Sequence, residues 1–200
     1  MLASPGTGHG STIAADNHQE NTVPFAIELF LDEQAESRVR RMWAALDEHG
    51  IPSLGALADH DVDPHVSLTA FDHGDVDAVA DALASVFAAE APFPLSLTAL
   101  GFFLTPVAPV FLGVTPTAAL LRVHRAVHNA VEPFVERMAE YYLPDALLPH
   151  CTLALGVSDH AAVFRALSGF RLPVVASAVS ARLLEIPEGR PLATFLLGAG

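Results

Sequence analysis

One short pattern that is suited to chemistry occurs twice in the sequence. Residues 64–68 read Pro-His-Val-Ser-Leu and residues 149–153 read Pro-His-Cys-Thr-Leu, so both copies follow Pro-His-x-[Ser/Thr]-Leu. No other histidine of the chain stands in this pattern. For a chain of this composition, two chance matches have odds of roughly one in a thousand. The repetition is therefore a stronger signal than either copy alone.

Each copy opens an apolar run that is typical of a β-strand. Side chains alternate between the two faces of a strand, so His65 shares a face with Ser67, and His150 shares a face with Thr152. Each strand then presents one imidazole and one hydroxyl. If the two strands face each other, these four groups surround a space that suits a phosphate.

Two imidazoles on either side of a phosphate are suited to acid and base catalysis. Histidine titrates near neutral pH, so one ring can remove a proton while the other donates one. Hydroxyl donors can bind the non-bridging oxygens as charge develops on them. This chemistry requires no metal, cofactor or covalent nucleophile, and we expect none. The alternative is that each histidine is an ordinary half-buried residue at the start of a strand.

With these two motifs, the chain resembles the 2H phosphoesterase superfamily, in its branch of 2′-5′ RNA ligase-like and cyclic phosphodiesterase proteins. The hallmark of that superfamily is a pair of His-x-[Ser/Thr]-x motifs, which residues 65–68 and 150–153 match. The likeness extends loosely from Phe25 to Leu197, and only the two motifs are specific. It implies metal-independent hydrolysis of 2′,3′-cyclic phosphates to 2′-phosphates, with reversible 2′-5′ RNA ligation in some members.

The resemblance also implies roles for individual residues. His150 would activate the water and His65 would protonate the leaving oxygen, while Ser67 and Thr152 would hold the phosphate. The candidates for stacking on a base are Phe103 and Phe111, with packing in the core as the alternative for each. A non-catalytic module that binds nucleotides or RNA ends in the same groove is the second hypothesis for function.

The charge of the chain limits its partners. The 200 residues carry a formal net charge of −13, with ten arginines and no lysine. The absence of lysine excludes lysyl-adenylate ligases, Schiff-base enzymes and Walker A nucleotide sites. An acidic chain repels long polyanions, so we expect a small nucleotide or an RNA terminus with a cyclic phosphate as partner, and no long duplex.

Cysteine content and the N-terminal residues bear on compartment and domain organisation. Cys151 is the single cysteine, so no internal disulfide can form, which predicts a cytoplasmic protein. Residues 1–22 are polar and lack the apolar core of a signal peptide, so we expect a disordered leader. Residues 23–200 are then one bilobal domain, expected to be a monomer.

Three other sites are weaker candidates. Residues 59–77 are rich in Asp and His, but their spacing matches neither an EF-hand nor a usual zinc site. His124 and His128 stand four residues apart, as in a zinc protease helix, yet Arg125 occupies the position of the catalytic glutamate. Strand alternation turns the thiol of Cys151 away from His150, which disfavours a cysteine nucleophile.

An uncharged segment, residues 91–121, is long enough to span a membrane. Its five prolines disfavour a helix, and two buried strands over residues 93–104 and 110–115 explain it better. We therefore expect no membrane partner.

The remaining periodicity predicts how the chain is arranged. Strands are expected over residues 25–31, 65–71, 150–155, 172–186 and 193–197. Helices are expected over residues 33–49, from Val76 to Phe87, over residues 118–141 with a kink or break at Pro133, and from an N-cap at Ser158 to near Gly169. The second half repeats the first in outline. The sequence therefore predicts an α+β fold with two similar lobes, whose mainly antiparallel sheets face each other across a groove with helices outside.

Overall fold

Eight strands and five helices form the part of the chain that the computed structural model describes, residues 24–58, 62–186 and 189–198. The strands are β1 (Phe25–Leu31), β2 (His65–Gly74), β3 (Phe93–Phe102), β4 (Val110–Val114), β5 (Val135–Met138), β6 (His150–Ala154), β7 (Val174–Glu185) and β8 (Arg190–Leu196). The helices are α1 (Glu33–Glu48), α2 (Leu54–Leu57), α3 (Val76–Ala88), α4 (Ala118–Val131) and α5 (His160–Leu167). The predicted leader, residues 1–22, lies outside the described residues.

The helices begin at side chains that cap them. In each case an Asp, Ser or Thr just before the first turn accepts a hydrogen bond from a backbone N–H inside the helix, which satisfies a donor that would otherwise be free. These caps are Asp32, Ser53, Asp75, Thr117 and Asp159. The N-cap of α5 is therefore Asp159 and not Ser158 as predicted, since the Asp159 carboxylate reaches the N–H of Ala162 at 2.9 Å.

All strand pairs are antiparallel, and they form one sheet in the order β5-β2-β1-β7-β3-β4-β6, with β8 also paired to β7. The predicted α+β class with antiparallel strands is confirmed. The two sheets expected from the sequence are joined by β7, because residues 174–178 pair with β3 and residues 178–185 pair with β1. β2 and β6, at distant positions in this order, also contact each other. The two strands that carry the repeated motif therefore lie side by side.

Apolar side chains at helical spacing hold the helices against the sheet. Val39, Met42, Trp43 and Leu46 of α1 are each at most 4% exposed, which confirms the face predicted from their spacing. α1 contacts α5 and β7, whereas α3 contacts α4 and β8. The helices thus form two groups, and no helix of the described residues is long and apolar enough to cross a membrane.

The helix predicted over residues 118–141, with a kink or break at Pro133, does break there, but the predicted helix after the break is wrong. α4 ends at Val131, and a 3₁₀ turn over Glu132–Phe134 contains Pro133, which cannot donate a backbone hydrogen bond. The chain then forms β5, which pairs with the far end of β2. The short helix α2 was also not predicted.

Candidate active site

His65 is the first residue of β2, and the backbone before it fixes its ring. Nδ1 of His65 lies 2.8 Å from the carbonyl oxygen of Asp63. A carbonyl only accepts hydrogen bonds, so Nδ1 carries the proton and donates it. The free nitrogen of the neutral ring is then Nε2. Val66 and Leu68 are fully buried behind the ring, as strand alternation predicted.

His150 is held in the same way at the start of β6. Its Nδ1 donates to the carbonyl oxygen of Leu148 at 2.7 Å, again two residues upstream and across a proline. Behind it, Cys151 and Leu153 are fully buried. The repeated motif therefore produces a repeated geometry, in which a peptide carbonyl sets the tautomer and leaves Nε2 as the ring nitrogen that is not bonded to the backbone.

The first wall of the site is formed by β2, β1 and the second half of β7, with the side chains of His65, Ser67, Glu28, Phe30 and Arg182. The register places Glu28 beside both Ser67 and Arg182, and Phe30 beside His65. Glu28 Oε1 lies 3.3 Å from His65 Nε2, and the hydroxyl of Ser67, opposite Glu28 in the register, interacts with the same carboxylate. Burial raises the pKa of Glu28, while the charges of His65 and Arg182 oppose that rise.

Arg182 is fixed by its own contacts. Its guanidinium lies 4.0 Å above the ring of Phe30 and donates to Asp63 Oδ2 at 2.8 Å. The other oxygen of Asp63 accepts from Arg40 at 2.5 Å. Arg182 is the one Arg or Lys among the described residues that line the groove. Its guanidinium is of the kind that pairs with phosphate groups in proteins.

The second wall is formed by β4 and β6, with the side chains of Phe111, His150 and Thr152 and the backbone of Gly113. The register pairs Phe111 with Thr152 and Gly113 with His150. Phe103 stacks on Phe111 at 4.5 Å, and both rings lie 5.1 Å from the imidazole of His150. Burial lowers the pKa of His150, the hydrogen bond to Leu148 opposes this, and the charge of His65 lowers it further.

A groove of about 510 Å³ lies against the first wall. His65, Ser67 and Thr152 line it together with Glu28 and Arg182. The rest of its lining is mainly aliphatic and comes from the region of α2 and from the end of β7: Leu54, Leu57, Ala58, Val62, Leu184 and Ile186. His150, Phe103 and Phe111 are not part of this lining, although His150 is close enough to His65 for their charges to interact.

The two predicted aromatic residues differ in exposure. Phe111 is 6% exposed and packs between Gly101 and His150, whereas Phe103 is half-buried and keeps an accessible face. Of the two, Phe103 is the one that a base could reach.

The weaker candidates are accounted for by their surroundings. Cys151 is fully buried, and burial raises the pKa of its thiol to about 12, which is unsuited to a nucleophile. His124 donates from Nε2 to the carbonyl oxygen of Tyr142 and is buried. Within the described ranges, no group of three or more His, Cys, Asp or Glu side chains is arranged to hold a metal ion. Asp59, His60 and Asp61 lie outside those ranges.

Sequence reasoning missed three residues of the site: Glu28, Arg182 and Tyr142. Tyr142 lines the groove together with Ser67, and burial raises the pKa of Tyr142 to about 12. Glu28 carries the clearer signal, since it is the one charge in the otherwise apolar strand β1, while Arg182 is the one basic residue of β7, whose other charge is Glu185 at its end. A buried charge in such a run requires a partner, which marks it as a candidate for function.

The fold is similar to that of several solved structures. Escherichia coli LigT complexed with 3′-AMP is 16% identical with a TM-score of 0.56, over 88% of this chain and 97% of LigT. TT0787 of Thermus thermophilus is 17% identical with a TM-score of 0.59, over 87% of this chain and 97% of that one. Kluyveromyces marxianus Usb1 with uridine monophosphate is 11% identical with a TM-score of 0.51, over 89% and 100%.

At the level of sequence, comparison with curated proteins gives no match. The model of the 2′-5′ RNA ligase superfamily, in contrast, matches residues 30–189, which include both histidine motifs and most of the chain. This match and the fold agree with the resemblance found in the two motifs, and the protein therefore belongs to the 2′-5′ RNA ligase superfamily of 2H phosphoesterases.

Proposed function

We propose that the protein hydrolyses 2′,3′-cyclic phosphates of small nucleotides or RNA ends to 2′-phosphates, with His65 and His150 as acid and base and without a metal. Family membership supports phosphoesterase activity in general. The observation that carries the finer proposal is the pair of equally held imidazoles. Each Nδ1 is bonded to a backbone carbonyl, which leaves each Nε2 for proton exchange with a substrate.

His150 is the base in this proposal. Because burial lowers the pKa of His150, its ring is neutral at neutral pH, and Nε2 takes a proton from the attacking water. The water oxygen bonds to phosphorus while the bond from phosphorus to the 3′ oxygen breaks. His65, as the imidazolium, gives its Nε2 proton to that 3′ oxygen. One water is consumed, and the products are a 2′-phosphate and a 3′-hydroxyl.

The same groups serve a ligation. If a 5′-hydroxyl takes the place of the water, the same proton transfers produce a 2′-5′ linkage, which is the ligase activity that the family resemblance implies. Exclusion of water from the site decides between the two outcomes.

Three side chains are proposed to bind the phosphate. Ser67 and Thr152 donate hydrogen bonds to its non-bridging oxygens, and Arg182 offsets its negative charge. Phe103 is proposed to stack on the base through its accessible face. Phe111 packs against the rings of both Phe103 and His150 and helps to hold them in position.

The proposed substrates are small. Polymer binding gains free energy when many phosphates are neutralised, and a chain of net charge −13 offers few such contacts. The ligands named for the structural neighbours are also small, namely 3′-AMP in LigT and uridine monophosphate in Usb1. We also propose that the protein is a cytoplasmic monomer, the compartment being inferred from its single cysteine.

The test is turnover of a 2′,3′-cyclic mononucleotide, followed by ³¹P NMR in the presence and absence of EDTA. We expect a 2′-phosphate at an unchanged rate with EDTA. The rate should fall as the pH drops through the lowered pKa of His150, so the acid limb lies below the ordinary histidine value of 6.5. Affinity without product would indicate the non-catalytic binding module, and a 3′-phosphate product would reverse the assigned leaving oxygen.

A second measurement addresses substrate size. We expect kcat/KM for the cyclic mononucleotide to equal or exceed that for a long RNA with the same end, and to depend weakly on salt. A clear advantage of the long RNA that disappears steeply with salt would contradict this preference.

A further inference from the structure

Glu28 is a carboxylate in the middle of a buried strand. It is 7% exposed, and its neighbours Ile27 and Leu29 are fully buried on the opposite face. A buried carboxylate is costly unless it is hydrogen-bonded and paired. The partners of Glu28 are residues of the site: His65 at 3.3 Å, the hydroxyl of Ser67 and the nearby charge of Arg182.

The need to neutralise the charge of Arg182 does not explain why a carboxylate is buried at position 28. Asp63 already forms an ion pair with Arg182 at 2.8 Å, and it also binds Arg40. The direct ion-pair contact of Glu28 is with the imidazole of His65. The main ionic partner of the Glu28 carboxylate is therefore His65.

The geometry also shows which nitrogen of His65 faces Glu28. Nδ1 of His65 donates to the carbonyl of Asp63, so the nitrogen that faces Glu28 is Nε2. A carboxylate accepts hydrogen bonds and cannot donate them, so the contact is favourable when Nε2 carries a proton. Nε2 is also the atom from which the proposed function takes the proton for the leaving oxygen.

We propose that Glu28 is a positioning residue that keeps the catalytic proton on Nε2 of His65 until the leaving oxygen takes it. This inference rests on the proposed function, because it assigns His65 as the acid. It adds a third member to the acid and base pair, one whose proposed effect is exerted through His65.

The other groups around Glu28 do not exchange protons near neutral pH. Burial raises the pKa of Tyr142 and of Cys151 to about 12 each, so both stay neutral. Arg182 stays charged, and Asp63 is held between two guanidinium groups. His65 and, in the second wall, His150 are the histidines whose charges interact here. A substitution of Glu28 would therefore disturb one proton, the proton that Glu28 and His65 share.

The test is Glu28→Gln, which keeps the shape and removes the charge. We expect the basic limb of the pH profile of kcat to move to lower pH by about one unit, because an opposite charge at this distance commonly shifts a titration by that much. At one pH unit above the midpoint of the wild-type basic limb, kcat of the variant should then be about 10-fold lower than that of the wild type. Glu28→Asp, which retains a carboxylate, should keep the limb near its wild-type position.

Glu136→Gln is the matched control, since it removes one negative charge from exposed β5 without contact to His65. It should leave the limb unchanged. A uniform loss of kcat in Glu28→Gln with no movement of the limb would show that Glu28 is only structural, and would overturn the proposal.

An NMR titration of the His65 ring without substrate separates this proposal from the proposed function. In Glu28→Gln the midpoint of that titration should move to lower pH, and in Glu136→Gln it should not. If the wild-type protein turns over no cyclic phosphate while the midpoint still moves, the function fails and the Glu28–His65 pair stands. If the midpoint does not move, the pair is overturned whatever the activity.

Discussion

The two walls of the site carry the same motif but different neighbours. In the first wall, β1 places Glu28 beside the motif hydroxyl of Ser67. In the second wall, β4 places Phe111 beside the corresponding hydroxyl of Thr152. The backbone tether of each histidine is nearly the same, at 2.8 and 2.7 Å. The motif therefore determines how each ring is held, and the neighbouring strand determines the ring's surroundings.

The unequal neighbours explain how a duplicated site can have two roles. A carboxylate next to a histidine favours the protonated ring, as at His65, whereas burial of His150 lowers its pKa and favours the neutral form. In-line displacement requires one ring of each kind at the start of the reaction. The cross-strand partner, rather than the motif itself, is what we propose to assign acid and base.

The largest effect is expected from removing either histidine. His65→Ala and His150→Ala should each lower kcat by about 10²- to 10⁴-fold, because each removes a general acid or base. The measurement is hydrolysis of a 2′,3′-cyclic mononucleotide, with folding checked by circular dichroism. His73→Ala, at an exposed position farther along β2, is the control and should keep wild-type activity. Near-normal turnover in either motif variant would contradict the assignment of both walls to catalysis.

A smaller effect is expected from the two hydroxyls. Ser67→Ala and Thr152→Ala should each lower kcat by about 10²-fold at most, since each removes one donor to the phosphate. Ser67→Ala should be the more severe, because Ser67 also interacts with Glu28 and Tyr142. The double variant should lose far more than either single one. If it binds and turns over substrate normally, the hydroxyls have only a structural role.

The smallest effect concerns packing in the second wall. A Cβ at Gly101 would lie 2.7 Å from the ring of Phe111, whereas a Cβ at Gly113 would lie 3.6 Å from Ala99, which is ordinary contact. Gly101→Ala should therefore destabilise the protein by about 1–3 kcal/mol, and Gly113→Ala should not. Thermal unfolding of the two variants measures this. Equal melting temperatures would mean that Phe111 can move, and that its ring does not hold His150.

Much of this arrangement follows from the sequence alone. The boundaries of β1, α1, β3 and β4 agree with their apolar periodicity to within two residues, because each buries a regular face. The alternation that put His65 with Ser67 and buried Cys151 is confirmed by exposure. The local sequence pattern was sufficient to predict a strand or helix wherever that element buries one regular face.

Other features depend on contacts distant in sequence. β5 is only four residues long and is stabilised by pairing with β2, so no local pattern distinguishes it from the end of α4. Glu28 and Arg182 are 154 positions apart in the sequence and become neighbours only through the β1–β7 register. The duplicated motif predicted two equivalent histidines, and the strands that make them unequal carry no copy of the motif.

The long strand β7 has a consequence for how a ligand enters. Its twelve residues span about 40 Å and bond to β3 at one end and to β1 at the other. One continuous strand thus joins the β1 side and the β3 side of the sheet, so we expect the separation of the two imidazoles to be set before any nucleotide arrives. Because the site is preorganised, binding does not carry the entropic cost of closing two mobile lobes. A nucleotide should therefore leave the backbone between β1 and β3 in place when it binds.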